Sequence, residues 1–389
     1  MAAEGSAGGA VGGGRRRWRW LGALLVVLVP SVLLRSCVIT TYVIRSPSME
    51  PALRTGDQLV VLREGADLRD FARWDVVFFD RSIDREVGPD IEAVAKRAVG
   101  LSGEKLEIRD GDVYVGPRRD ELTLARKDDE LVVRLLVPLS REDGPDAGWV
   151  GAGREAVPGG VRLDAGAGEL WAHYGEPLRD GLDDDPGEHL VHDTAVEVVV
   201  GEGDGVLLLR LREGADTFEA RLGTRGRGGA VLGHNLGRGV VAEDPDWPGL
   251  TPGQRVLFWN VDNGVRLRVD GETVLAYDYE ENAHQTPGVS LHNVPAVGVA
   301  EGALVLGETT VLRDLHYSDQ GVHGTEPGNG STPASVPPGY LFLLGDNSRK
   351  SRDSRAFGPV DGSLLLGRPL ATYRPWDRAG WRTSAGVEP

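Results

Sequence analysis

Ser46-Pro47-Ser48-Met49-Glu50-Pro51 sets a hydroxyl between prolines, which fix the backbone on either side of Ser48 and hold its oxygen on a stiff turn. Taken alone, the same residues also describe a proline-punctuated passage from strand to turn. A serine nucleophile needs a base. All eight His lie between His173 and His323, and no Gly-x-Ser-x-Gly elbow accompanies them, so a Ser-His-Asp triad would have to be built within that stretch. The single Cys, Cys37, has no His near it in sequence and excludes an internal disulfide or a thiolate metal cluster. Serine with lysine remains. Lys96 lies in Val94-Ala95-Lys96-Arg97-Ala98-Val99, among apolar neighbours. An ammonium enclosed in an apolar site has its pKa lowered, because desolvation penalises the charged form, and a neutral amine can take the proton of a serine hydroxyl. Arg97 cannot, since a guanidinium does not give up its proton in this range. Neighbouring residues on a strand face opposite ways, so Lys96 can point into a site while Arg97 points to a carboxylate behind it. The plainer alternative is a solvated basic pair on an edge strand. A third polar stretch, Gly345-Asp346-Asn347-Ser348-Arg349-Lys350-Ser351-Arg352-Asp353-Ser354-Arg355, is by itself a surface loop rich in turn formers and internal ion pairs.

The elements that must carry these residues begin at the N-terminus. By composition residues 1–19 are expected to be a disordered, basic segment: Gly/Ala-rich to residue 14, then Arg15, Arg16, Arg17 and Arg19 interleaved with Trp18 and Trp20. An uncharged run from Trp20 to Leu34 follows, closed by Arg35. At 1.5 Å per residue it reaches about 22 Å, short of a bilayer core of roughly 30 Å, and snorkelling of Arg19 and Arg35 together with the apolar stretch after Cys37 extends it. A cleaved signal peptide fits the order of charge and apolar run, but no Ala-x-Ala-like site follows; a lipoprotein signal would use Cys37, yet Arg35 stands where that motif wants a small or apolar residue. A retained anchor over 20–35 with its basic end in the cytoplasm satisfies the positive-inside rule and puts the body of the protein outside the cytoplasm.

The chain has 389 residues with 40% hydrophobic and 26% charged, which excludes a wholly disordered or collagen-like molecule, and its net charge of −16 argues against nucleic-acid binding. Residues before 46 carry +5, so the remainder holds about −21. Only four of the 43 basic residues are lysines (Lys96, Lys105, Lys127 and Lys350), a skew that fits a GC-rich genome. Alternation of apolar and polar residues predicts strands at 38–43, 58–62, 74–79, 94–99, 105–108 and 112–115, the last two joined by Asp110-Gly111. From about 117 to 320 short strands recur at 195–200, 206–211, 217–222, 255–259, 265–269, 273–277 and 310–316, the pattern of an antiparallel sandwich. Residues 321–338 are linker by composition, and Tyr340–Leu344 is an apolar strand that ends in Gly345-Asp346. The predicted organisation is a mainly β core made of 36–116 and 339–389, interrupted by a β-sandwich insert over 117–320.

Together the three polar motifs resemble those of the type I signal peptidase family of Ser-Lys membrane peptidases. The order agrees: an anchor, Ser46-Pro47-Ser48-Met49-Glu50-Pro51, the strand Arg73-Trp74-Asp75-Val76-Val77-Phe78, then Lys96-Arg97-Ala98-Val99-Gly100-Leu101-Ser102-Gly103-Glu104, then Gly345-Asp346-Asn347 with Ser351, Asp353, Ser354 and Arg355. Resemblance covers some 120–150 residues at the two ends and leaves the middle uncovered. It implies Ser48 as nucleophile and Lys96 as general base, with Ser46 and the Ser48 N–H as the oxyanion hole. It implies that Ser351 orients the Lys96 amine, that Asp346 pairs with Arg97 and that Asp353 pairs with Arg355. No metal or organic cofactor is implied. The implied activity is removal of signal peptides from secretory preproteins at the outer, periplasmic face of a bacterial cytoplasmic membrane, after small residues at the −1 and −3 positions and through an acyl-enzyme. Pro47 stands where Gly is more usual, Ser102 where Pro is common, and Arg349-Lys350 where more acidic or polar residues are found. With one anchor visible, the nearest apolar surface for membrane lipid would be the 74–79 strand, with Trp376 and Trp381 as interfacial anchors.

The insert is similar to concanavalin/laminin-G-like sandwiches in Phe258-Trp259-Asn260-Val261-Asp262 and the 265–279 hairpin, and sandwiches of that kind often bind glycans or calcium. Asp183, Asp184, Asp185 and Glu188 would offer oxygen ligands to Ca²⁺, although such a run is also what a solvated loop looks like, and Asn329-Gly330-Ser331 matches a glycosylation acceptor by chance. Two alternatives stand beside the peptidase. One is a self-cleaving Ser-Lys repressor, which the anchor opposes. The other is a surface-displayed protein that binds a glycan or protein ligand through the insert, with the core as a platform.

Overall fold

The computed structural model describes residues 39–319, 333–383 and 386–387, apart from short internal segments at 64–67, 69–70, 81, 83–92, 140–147, 152, 183–184, 186, 235–238 and 281–293. The basic N-terminus, the predicted anchor at 20–35, Cys37, Asp183, Asp184, most of the predicted linker and Asn329-Gly330-Ser331 lie outside the described residues. Among those described, no helix is long and apolar enough to cross a membrane.

Strands account for nearly all the regular structure, and every ladder within the sheets is antiparallel. The nine-stranded core sheet takes its members from both ends of the chain. β1 (Ile39–Val43) pairs with β2 (Gln58–Leu62), which pairs with the strand Leu365–Arg374; then come β3 (Val76–Asp80), β4 (Ala93–Gly100), Tyr340–Leu344 and Val360–Asp361. Its interior is built from the residues of β3 and β4 and their neighbours: Val77, Phe79, Ala98, Leu341 and Leu343 pack on one face, while Met49, Leu53, Leu59, Val61, Val76 and Phe78 pack on the other. The β3 strand therefore offers no apolar surface to a membrane, correcting the sequence expectation. Val76, Val77, Phe78 and Phe79 are each 5% exposed or less because apolar clusters pack on both faces of the strand, whereas Trp376 is 79% exposed.

β5 (Lys105–Arg109) and β6 (Asp112–Gly116) form the expected hairpin, with Asp110 and Gly111 at φ 49° and 103°, the left-handed pair that a tight two-residue turn requires. β7 (Thr123–Leu124) extends this small sheet on one side. Ala334–Ser335 extends it on the other, pairing with Leu106 and Lys105. Residues 333–338 thus depart from the linker expected there: Ala334 and Val336 are buried, so an apolar pair inside a Pro-rich stretch folds onto the hairpin.

The insert is a twelve-stranded sheet organised by two long partners, Thr194–Glu213 and Ala296–Arg313. Sequence analysis divides the first of them at Gly201-Glu202-Gly203-Asp204-Gly205. In the structure the strand runs through, with register shifts that bend it, and a Cβ at Gly203 or Gly302 would collide with the opposing backbone at 2.3 and 1.9 Å. On its free edge the early half of Thr194–Glu213 pairs with Arg255–Val261 and the later half with Asp216–Gly223. The two arms close over one core in which Phe218, Leu232, Phe258 and Leu267 share a cluster. The two predicted layers are therefore one hydrogen-bonded sheet curled on itself. Helix α1 (Asp129–Leu135), capped by Asp128 accepting from the Leu131 N–H, lies at the seam with the core; Leu131 and Leu135 pack toward the small sheet and Val132 toward Trp259 of the insert.

Candidate active site

Two buried side chains anchor the turn that follows β1. Met49 and Leu53 are each 1% exposed against Val76, Phe78 and Ala95, and Leu53 N–H donates to the Met49 carbonyl at 2.8 Å. Met49 thereby holds the short 3₁₀ turn Pro47–Met49, with Ser48 at its centre, against β4, the strand that carries Lys96. Lys96 Nζ is 2.5 Å from Ser48 Oγ, and both residues are buried, at 2% and 5% exposure. Ser46 Oγ lies 3.1 Å from the same Ser48 oxygen. Such a pair, removed from water, is suited to passing a proton from hydroxyl to amine when an electrophile approaches.

The opposite face of β4 carries Arg97. The strand Tyr340–Leu344 pairs with β4 so that Leu344 stands opposite Arg97, and two residues later the chain delivers Asp346. Arg97 Nε and Nη2 donate to the two Asp346 oxygens at 2.7 and 2.6 Å, Nη1 donates to the Trp74 carbonyl at 2.6 Å, and both charged side chains are fully enclosed. Burial by itself would lower the Arg97 pKa, but the Asp346 charge and its hydrogen bonds outweigh it and hold the guanidinium above its ordinary value. Between Leu344 and Asp346 the chain has to be glycine. A Cβ at Gly345 would stand 2.2 Å from Ser351 Oγ and 2.4 Å from the Ser48 carbonyl oxygen, and that carbonyl accepts the Asn347 N–H at 3.1 Å. The loop after Gly345 is thus fastened directly to the turn that bears Ser48.

That loop is pinned a second time. Asp353 accepts from Arg355 Nε and Nη2 at 2.8 and 2.7 Å and from the Gly345 N–H at 3.0 Å, and it caps the short helix Ser354–Phe357. Ser351 Oγ donates to Asp353 Oδ2 at 2.6 Å. A hydroxyl whose proton is committed to a carboxylate has lone pairs left to offer an amine, and it lies within the packing of Gly345 and Ser48. All eight residues singled out from the sequence therefore fall in one region: Ser46, Ser48, Lys96 and Ser351 in front, Arg97, Asp346, Asp353 and Arg355 behind.

Sequence reasoning missed what the insert contributes. Arg349, noted above as a departure from the family pattern, pairs with Asp185 at 3.3 Å and with Glu188 at 3.2 Å. The acidic run of the insert was its signal: its partner is this arginine. Ser318, just past the last long strand of the insert, accepts from Arg355 Nη1 at 2.7 Å. A groove of about 500 Å³ opens beside the Ser48 turn, walled by Glu50, Pro51 and Arg54 on one side and by residues 137–139, 176–179, 181, 182 and 185 on the other.

The family described as "Signal peptidase, peptidase S26" matches residues 17–132 and 250–375. "Signal peptidase I V" of Bacillus subtilis is 30% identical over 105 residues, which make up 27% of this chain and 57% of that protein. "Signal peptidase I" of Bacillus caldolyticus is 32% identical over 107 residues, covering 27% and 53%. The chain spans about half the length of the curated relatives it matches. Among solved structures, a carbohydrate-binding module from Bacillus subtilis overlaps 42% of this chain and 94% of its own at 11% identity with a TM-score of 0.30, a likeness too distant to bear on ligands.

Proposed function

The chain belongs to the signal peptidase, peptidase S26 family, and from that membership we propose that it is a membrane-anchored serine endopeptidase that removes signal peptides from exported preproteins. The observation that carries the reading is the 2.5 Å approach of Lys96 Nζ to Ser48 Oγ inside the protein. Ser48 Oγ attacks the scissile carbonyl while its proton passes to the Lys96 amine; the amine then returns that proton to the leaving nitrogen, and water, deprotonated by the same amine, hydrolyses the acyl-enzyme. The Ser48 N–H and the Ser46 hydroxyl act on the oxyanion, where loss of one donor costs about 10²–10³ in rate. Ser351 supports the amine from the side. Arg97–Asp346 and Arg355–Asp353 hold β4 and the 345–355 loop in register. The groove beside Glu50 and Pro51 gives an extended peptide a path to the serine.

Residues 20–35 anchor the chain, with the catalytic side on the outer face of the membrane. Enzyme and preprotein then share one bilayer, which raises their effective concentration, and the serine stands only a few residues beyond the anchor, near where a signal peptide ends. The test is processing of a preprotein by purified enzyme. Ser48→Ala and Lys96→Ala should each lower the rate by roughly 10³-fold or more with melting curves unchanged, and Ser46→Ala by about 10²-fold. Full processing by either of the first two variants removes the proposal.

A further inference from the structure

Three side chains with metal-binding atoms meet beside the 345–355 loop, and the chemistry at Ser48 uses none of them. Asp180 and His189 belong to a strap closed by the bridge between Arg179 and Leu190, by Asp180 N–H donating to the His189 carbonyl and by Val191 N–H donating to the Leu178 carbonyl, both at 3.0 Å. His316 comes from the segment after the last long strand of the insert, and its ring stacks on that of His189 with 5.5 Å between centroids and 21° between planes. One donor atom from each of the three residues lies within 4.8 Å of the other two. We propose that Asp180, His189 and His316 bind a divalent transition-metal ion, zinc by preference.

The donor set argues for the class of metal. Two imidazoles and a carboxylate suit Zn²⁺, whereas Ca²⁺ and Mg²⁺ take oxygen ligands. His189 Nδ1 and Asp180 Oδ2 are 2.9 Å apart. Ligands on a tetrahedral zinc with bonds of about 2.0–2.1 Å stand roughly 3.3 Å from one another. An ion that replaces the shared proton therefore has to widen the gap by only a few tenths of an ångström.

The surroundings hold these groups as ligands are held. Asp180 Oδ1 accepts the N–H groups of Glu188 and His189 at 2.7 and 3.0 Å, which turns Oδ2 toward the imidazole. Arg313 Nη2 donates to the carbonyls of Asp180 and Gly181 at 3.0 and 2.8 Å and fixes the strap from behind. Two glycines permit the close approach: a Cβ at Gly187 would stand 2.5 Å from Asp180 Oδ1, and one at Gly111 would stand 2.3 Å from His316 Nδ1. The His189 side chain is 37% exposed, which gives an ion its entry. Three protein ligands leave a fourth position for water. Since Asp185 and Glu188 of the same strap hold Arg349, an ion here fixes one wall of the groove beside the Ser48 turn.

The test is titration of the chelator-stripped full chain with ZnCl₂ and, separately, CoCl₂. The proposal expects one Zn²⁺ per chain and visible absorption bands from the cobalt form. It also expects affinity at least about tenfold weaker in each of His189→Gln and His316→Ala. His189→Gln changes the most accessible of the three residues and is the variant that keeps its fold, checked by circular dichroism. No stoichiometric binding, or less than a tenfold loss in His189→Gln, overturns the site. Binding is read without reference to peptidase activity, so the outcome stands apart from the role of Ser48.

Discussion

Two clusters of buried charge in this molecule are built on opposite plans. Behind the Ser48 turn two buried guanidiniums each meet one carboxylate: Arg97 with Asp346, Arg355 with Asp353. At the seam between core and insert the Lys127 ammonium reaches Asp262 at 2.9 Å and Asp314 at 2.7 Å, while Asp112, Asp193 and Glu213 lie close enough for their charges to be felt. The matched pairs set one carboxylate against each guanidinium. The unmatched cluster cannot ionise fully: burial first, and then neighbouring acids, push the carboxyls of Asp193 and Asp112 well above their usual range, and Asp314 is raised in spite of Lys127. The Lys127 ammonium is itself held well above its ordinary pKa: burial opposes the charge, but the acids around it win. The contrast teaches that the loop supporting the Ser48 turn is fixed by one-to-one pairs, whereas the seam holding the insert crowds several carboxyls around one ammonium and raises their pKa values.

The largest effect should come from breaking a matched pair. Asp346→Ala strands the Arg97 guanidinium in the core and should cost about 3–5 kcal/mol in urea unfolding, the range for removing one partner of a buried pair, with processing lost alongside. Truncating the apolar anchor of the same region, Met49→Ala, should cost about 2–5 kcal/mol, and activity should fall further than stability because the Ser48 turn loses its hold.

At the seam the expectation is a dependence on pH. A carboxyl whose folded pKa is raised binds more protons folded than unfolded, so its contribution is whole below the ordinary carboxylate pKa and is lost as pH rises through the raised value. Melting temperature should accordingly fall as pH is raised from the acid range toward neutrality. Asp193→Asn should flatten that slope, since the amide oxygen can still accept the Asp262 N–H now bound at 2.9 Å. A slope unchanged in Asp193→Asn would mean that the two clusters do not differ in the way described. Arg349→Ala should have the smallest effect on the fold, with no measurable shift in the melting midpoint, because its pairs with Asp185 and Glu188 lie at the surface. Its consequence should be a changed preference among preprotein substrates, read as relative processing rates of two sequences.

Much of the site could be read from residue types in order. Proline on both sides of Ser48 marks a rigid turn, Lys96 beside Arg97 on a predicted strand implies opposite faces, and Asp110-Gly111 sets a two-residue hairpin turn. Each is a local property, settled by backbone stereochemistry within a few residues. What failed to show was non-local. The run of glycines at 201–205 looks like a turn, and only the facing Ala296–Arg313 strand reveals it as a bend that needs those glycines for backbone approach. Strands Gly160–Tyr174, Ala230–His234 and Gly239–Asp244 escaped notice because glycine or charge interrupts their alternation, while their pairing is fixed by neighbours far along the chain.

The sequence by itself determined which groups are available for chemistry, which of them are stiffened by proline or strand, and that the body is β-rich. Tertiary structure alone decided that Lys96 meets Ser48, that Gly345 lets the distant loop touch the turn, and that an acidic stretch of the insert ends on Arg349. The division is physical. Local backbone preference is written in adjacent side chains, whereas the burial that brings an amine to a hydroxyl, and the charge balance of a seam, arise only when separate segments exclude water together.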